Sequence, residues 1–225
     1  MTTRAMPHEI EWPTLAMLGL AYGAFAAGTL LWPVSAILSV IVTALAIAQF
    51  SSLQHEVLHG HPFRNQTLNE ALVFPALTLT VPYGRFRDTH LAHHYDPNLT
   101  DPYDDPESNY MDPKVWERTS RPMQKLLRLN NTLLGRILLG PAIGTWFFSG
   151  PDMAQMLAGN RRILQSWVMH GLGFVPVLIW LWGFTEMPVW AWVVRLKRSL
   201  YVAASVICFL PPFKSNKFTL IGLLK

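Results

Sequence analysis

The 225 residues are 51% hydrophobic and only 14% charged, with nine Trp, twelve Phe and a formal net charge of +4. A soluble globular domain carries roughly 25% charged residues, so the deficit argues against a water-soluble enzyme and points to lipid as the solvent. A single cysteine, Cys208, excludes an internal disulfide framework and any cysteine-built metal cage.

The leading segment, MTTRAMPHEIEW, has one Arg against two Glu, and no small-residue cleavage site is followed by a polar mature chain. It does not read as a cleaved signal, so the apolar run behind it is expected to be a true span. From Trp12 to Gln54 no residue is charged. A spanning helix needs about 20 apolar residues, so this run predicts two spans, near 14–32 and 33–50, with a tight turn at Trp32-Pro33. The second helix is expected to continue past the lipid to His59, where Gly60 is a stop and Pro62 prevents continuation. ALVFPALTLTVPY, residues 71–83, is too short to cross and predicts a re-entrant or interfacial segment. A polar stretch follows from Asp96 to Gln124. The uncharged residues 137–151 are short, carry Pro141, and are assigned to the membrane surface. A third span is predicted over 163–185, with the aromatic run IWLWGF at its end.

The expected fold class is an all-α integral membrane protein, a helical hairpin with further spanning and interfacial helices under a cytoplasmic cap of histidines. The membrane domain covers 12–194. The turn between the first two spans lacks Lys and Arg, whereas residues 61–136 hold Arg64, Arg85, Arg87, Lys114, Arg118, Arg121, Lys125, Arg128 and Arg136, and Arg161-Arg162 precede the third span. The positive-inside rule makes that face cytoplasmic in a multi-pass topology. The same region holds nine acids, so it is not a nucleic-acid patch.

Six of the eight histidines fall in two clusters: His55, His59 and His61 in HEVLHGH, and His90, His93 and His94 in HLAHH. Residues three and four apart share one helix face. His55 and His59 therefore project together, as do His90 and His94, with His93 beside them. His61 lies off that face unless the helix ends at Gly60. A single His at a membrane surface is ordinarily a hydrogen-bonding group, but two clusters at ligand spacing predict a metal site. Imidazole alone does not name the metal. His8 and His170 stand apart, and His170 is expected to pack or hydrogen-bond within the third span.

His55-Glu56-x-x-His59 also matches the zinc-protease motif. That reading lacks an Asp-Gly segment for a third ligand and leaves the second cluster without a role. The soluble di-iron pattern needs two Glu-x-x-His motifs, and this chain has one.

HEVLHGH and HLAHH at the edge of a hydrophobic hairpin, with DPYDDPES after the second box, resemble the membrane fatty acid desaturase and hydroxylase superfamily over residues 12–185. The resemblance implies two irons held by imidazoles, which activate dioxygen and remove hydrogen from an unactivated methylene of a lipid acyl chain. It implies electrons from a ferredoxin or a cytochrome b5-like protein. By motif, His55, His59, His90, His93 and His94 are the implied ligands, with His61 an additional one. Glu56, Asp88, Asp101, Asp104 and Asp105 are candidates to hold the far N–H of those rings, set against ordinary loop solvation. Carotene ketolases of the superfamily share an Asp-Asp-Pro stretch here, so a carotenoid substrate is the alternative. A non-catalytic metal-binding membrane fragment is the alternative of another class, and an intramembrane zinc protease the last.

The superfamily pattern includes a third box, His-x-x-His-His, and no histidine follows His170. Arg195, Lys197 and Arg198 would interrupt a fourth span, at roughly 2.5–3.5 kcal/mol each near its centre. The basic residues also change from mainly Arg to mainly Lys beyond residue 194. Residues 195–225 are therefore expected to be an atypical, frame-shifted tail, and activity is expected to be impaired.

Overall fold

The computed structural model describes residues 10–98, 101–106, 108 and 110–193. The tail at 195–225, Cys208 and His8 lie outside the described residues. Within those described the protein is all-helical, without strands. Three helices are long and apolar enough to cross a membrane, in line with the expected fold class. The described residues form two compact units, one of 10–84 with 160–193 and the other of 85–159.

The first unit opens with α1 (Trp12–Leu30) and α2 (Ala36–Leu58). They part where expected: Pro33 brings no N–H, and Ser35 caps α2 by accepting from the Leu38 N–H at 3.3 Å. The two helices pack closely at Gly28, where a Cβ would meet the Thr43 Oγ1 at 2.5 Å and its backbone nitrogen at 2.8 Å. Small residues permit such approach in lipid, where no hydrophobic effect drives helices together. At its end α2 closes through the His59 N–H to Glu56 O (3.1 Å) and the Gly60 N–H to Val57 O (3.1 Å). Gly60 has φ +95°, a conformation glycine adopts without steric cost.

Asn65 caps the short α3 (Gln66–Leu72). Residues 73–82 are then non-helical, with Val73, Ala76, Leu77 and Thr78 buried. Non-helical backbone is tolerated at membrane depth only where protein covers it. α9 (Arg161–Phe184) provides that cover. Its Gly173 carbonyl accepts the Ala76 N–H at 2.9 Å, and His170 Nε2–H donates to Leu79 O at 3.2 Å. A Cβ on Gly173 would lie 2.5 Å from Phe74 O, so glycine is required for this approach. The Trp180 indole N–H donates to Thr29 Oγ1 at 2.9 Å, tying α9 to α1.

The core of this unit is apolar, but its exterior is not that of a water-soluble fold. Thr29, Ser39, Thr43, Gln54, Asn69, Thr78 and His170 are buried, whereas Leu20, Ile37, Ile41, Leu45, Val168, Leu172, Ile179 and Trp182 face outward. Outward apolar side chains lose nothing in hydrocarbon, and of the inward polar groups Thr29, Asn69 and His170 hydrogen-bond within the unit.

The second unit takes most of α4 (Tyr83–Tyr95), then a loop, α5 (Pro113–Arg118), α6 (Arg121–Asn130), α7 (Leu133–Leu138) and α8 (Gly140–Leu157). Proline occurs in the first turn of α5, α6 and α8, where its missing N–H costs no helical bond. Pro141 thus begins a helix in the segment it was expected to interrupt. The polar stretch 96–124 likewise holds α5 and the start of α6.

Candidate metal centre

The first histidine group belongs to the last turn of α2 and the loop after it. His55 and His59, one turn apart, have ring centroids 4.7 Å apart at 67°, and their ligand-capable nitrogens lie within 4.8 Å of one another. Both are half-buried. Glu56 is exposed and approaches only the edge of this pair, its Oε1 being 3.5 Å from His55 Nδ1. Past Gly60 the chain leaves the helix, which releases His61 from the helical register that would hold it off that face. Its Nδ1–H donates to Glu11 Oε2 at 2.7 Å. Glu11 also donates its backbone N–H to Pro62 O at 3.2 Å. From the other side, buried Asn69 clasps the Phe63 backbone, accepting its N–H and donating to its carbonyl, both at 2.8 Å. The His61 loop is therefore held at His61 and Phe63 by the side chains of Glu11 and Asn69, and at Pro62 by the Glu11 backbone.

The second group occupies α4. His90 and His94 have ring centroids 4.6 Å apart, and their Nε2 atoms approach to 2.9 Å. His93 is 6.2 Å from His90 and 6.0 Å from His94 by ring centroids. Its Nδ1–H donates to Asp105 Oδ1 at 2.7 Å, and the Asp105 carboxylate is buried. A carboxylate on Nδ1 fixes the tautomer and leaves the Nε2 lone pair for another partner. Of the other acids named from sequence, Asp88 takes the Arg87 guanidinium at 3.1 Å. Asp101 accepts the N–H groups of Tyr103 and Asp104, and Asp104 accepts from the Asn98 amide. The last two organise the loop that carries Asp105.

Two features escaped the sequence. Glu11 lies 50 residues before its histidine, with no motif to announce it. Arg85, in the first turn of α4, makes a two-pronged ion pair with buried Asp152 of α8 at 2.8–3.0 Å. The Phe148 ring lies 5.9 Å from the same guanidinium. A signal existed for this pair, because Asp152 is the lone acid between Glu117 and Glu186. A lone acid in an apolar segment needs a partner.

The residues present fit a metal-binding role. Two imidazole nitrogens at right angles on one octahedral metal, with bonds of about 2.1 Å, stand about 3.0 Å apart; His90 Nε2 and His94 Nε2 stand at 2.9 Å. The fatty acid desaturase family model matches residues 30–211. The chain belongs to this family. As a fatty acid desaturase family member with three apolar helices of spanning length, it is a membrane protein, and membership suggests oxidoreductase activity of the desaturase or hydroxylase type. Both histidine groups lie within the family match. No curated protein and no solved structure matches the chain.

Proposed function

We propose that this protein catalyses oxygen-dependent desaturation, or hydroxylation, of lipid acyl chains at a histidine-ligated di-iron site. The reading is carried by the two same-helix imidazole pairs, above all the 2.9 Å approach of His90 and His94. His55, His59, His61, His90, His93 and His94 would hold the metals. The irons would supply dioxygen activation strong enough to break an unactivated C–H bond, with electrons from a ferredoxin or a cytochrome b5-like donor. The chain's own contribution is to orient the rings: Asp105 and Glu11 accept the Nδ1–H of His93 and His61, which sets Nε2 as the ligating nitrogen of each. The apolar exterior of α1, α2 and α9 suits a site reached from lipid, and the distribution of Lys and Arg supports a cytoplasmic placement of the histidines.

Residues 171–225 contain no histidine, so these 225 residues supply two boxes of the three in the superfamily pattern. Fewer imidazoles open coordination positions and alter the redox couple, and turnover by this chain alone is proposed to be low. The test is iron analysis of the purified protein, then incubation with a reduced ferredoxin, oxygen and acyl lipid, with products read by mass spectrometry. Bound iron with a small acyl product, both lost in His90→Ala, is the expected result. No bound iron would overturn the reading, oxidation of a carotene in place of the acyl chain would reassign the substrate, and robust turnover would overturn the impairment.

A further inference from the structure

We propose that α6 and α7 lie in the plane of the membrane surface, with their leucines in the acyl region and Arg121, Lys125 and Arg128 on the phosphates of anionic phospholipids. The proposal does not depend on the metal site.

The sequence of α6, RPMQKLLRLN, divides by face. At about 100° per residue, Arg121, Gln124, Lys125 and Arg128 fall on one side, and Met123, Leu126 and Leu127 on the other. In a water-soluble fold the apolar side is the covered one. Here Met123 and Leu126 of the apolar side are exposed, as are Arg121, Lys125 and Arg128 of the polar side. Gln124 donates to the carbonyls of Trp116 (2.7 Å) and Thr119 (3.1 Å), and the Arg128 guanidinium stands 5.4 Å from the Trp116 ring centroid. α5 and the turn after it thus pack on one edge of the polar side and leave its three basic side chains exposed. The apolar side is uncovered within the unit at Met123 (38%) and Leu126 (36%), with Leu129 (54%) at its edge, and exposed leucines follow in α7 at Leu133 (52%), Leu134 (65%) and Leu138 (58%). Trp146 and Phe147 of α8 are exposed as well. An apolar strip of this extent is not left in water by a monomeric fold.

Charge selects the lipid. Residues 118–151 contain Arg118, Arg121, Lys125, Arg128 and Arg136 and no Asp or Glu. A basic amphipathic helix of this composition binds an anionic leaflet with its axis in the interface and its long basic side chains reaching headgroups. Each Lys or Arg near such a surface contributes about fivefold in affinity. Removing three of them lowers the preference for anionic lipid on the order of 100-fold.

The experiment uses the full chain in lipid nanodiscs of phosphatidylcholine mixed with phosphatidylglycerol. On a Cys208→Ser background, fluorophores are attached singly at Leu126→Cys, Leu129→Cys, Leu134→Cys and Lys125→Cys. Quenching by acyl-chain spin labels at 126, 129 and 134, with quenching by an aqueous agent at 125, is expected. Aqueous quenching at the three leucine positions would overturn the placement, and shielding from both quenchers would assign the face to a protein partner instead. In parallel, lipids retained by the purified protein are compared with those of an R121Q/K125Q/R128Q variant of unchanged helicity. The wild type should enrich phosphatidylglycerol and the variant should not. Equal enrichment in the two would overturn the assignment to phosphates.

Discussion

Replacing Asp105 by Asn tests whether the carboxylate acts through His93. The substitution keeps size and shape and removes only the charge from a buried side chain whose Oδ1 is 2.7 Å from His93 Nδ1. The amide oxygen can still accept the ring N–H, so the change is from a charge-assisted bond to a neutral one, roughly half as strong. Partners that orient a ligating histidine typically contribute about 10–100-fold in metal affinity, which corresponds to about 1.4–2.8 kcal/mol. With one charge removed and the hydrogen bond kept, the lower half of that range is expected for iron binding by Asp105→Asn. The assay is competition for ferrous iron against a chelator of known affinity, under anaerobic conditions. A role exercised through the imidazole demands that the effect vanish once the imidazole is gone, so Asp105→Asn should cost nothing further in a His93→Ala background. An equal loss of affinity in both backgrounds would show that Asp105 merely supports the loop, and no loss in either would remove it from the centre altogether. Thermal unfolding of the metal-free proteins separates a global change from a local one.

Asp152→Ala should destabilise the second unit by about 3–5 kcal/mol, because the Arg85 guanidinium is left largely buried without its carboxylate; faster hydrogen exchange in α4 and α8 reports it. Gly28→Val drives a branched side chain into Thr43, including its backbone nitrogen at 2.8 Å, and should cost about 1–3 kcal/mol in detergent unfolding. Gly23→Ala, which meets nothing within 4 Å, should be tolerated. Asn69→Leu removes both hydrogen bonds to the Phe63 backbone and should cost about 1–3 kcal/mol for each buried group left unpaired, read by thermal unfolding.

The spans were legible because length and the absence of charge decide them, and lipid permits few alternatives. The sequence gives a turn at Trp32-Pro33 and a stop at Gly60, and both are present because each rests on one residue's backbone chemistry. The pairing of His55 with His59 and of His90 with His94 follows from helix arithmetic alone. Glu11 with His61 and Arg85 with Asp152 are separated by 50 and 67 residues. Such pairs are set by how helices pack, which no local pattern encodes. Short helices were lost for a related reason. α5 has six residues, too few for periodicity to emerge, and its proline reads equally as a loop residue or as a helix start.

A common device recurs in the two units. Each histidine group contains an i, i+4 pair whose spacing the helix itself enforces, so holding those two rings together costs little conformational entropy beyond that of the helix. Each also contains an imidazole whose Nδ1–H is taken at 2.7 Å by a carboxylate from outside its helix, Glu11 for His61 and Asp105 for His93. Those two rings most need such help. His61 lies on a loop where nothing local fixes its orientation, and His93 is one position round from the His90–His94 face. A carboxylate at Nδ1 supplies the missing orientation and settles which nitrogen keeps its lone pair. The loop turns at Asp101 and Asp104 then gain a purpose beyond solvation, since they shape the segment that delivers Asp105. On this argument the acid-rich stretch after the second box works through one carboxylate that touches a histidine and two that hold the loop beneath it.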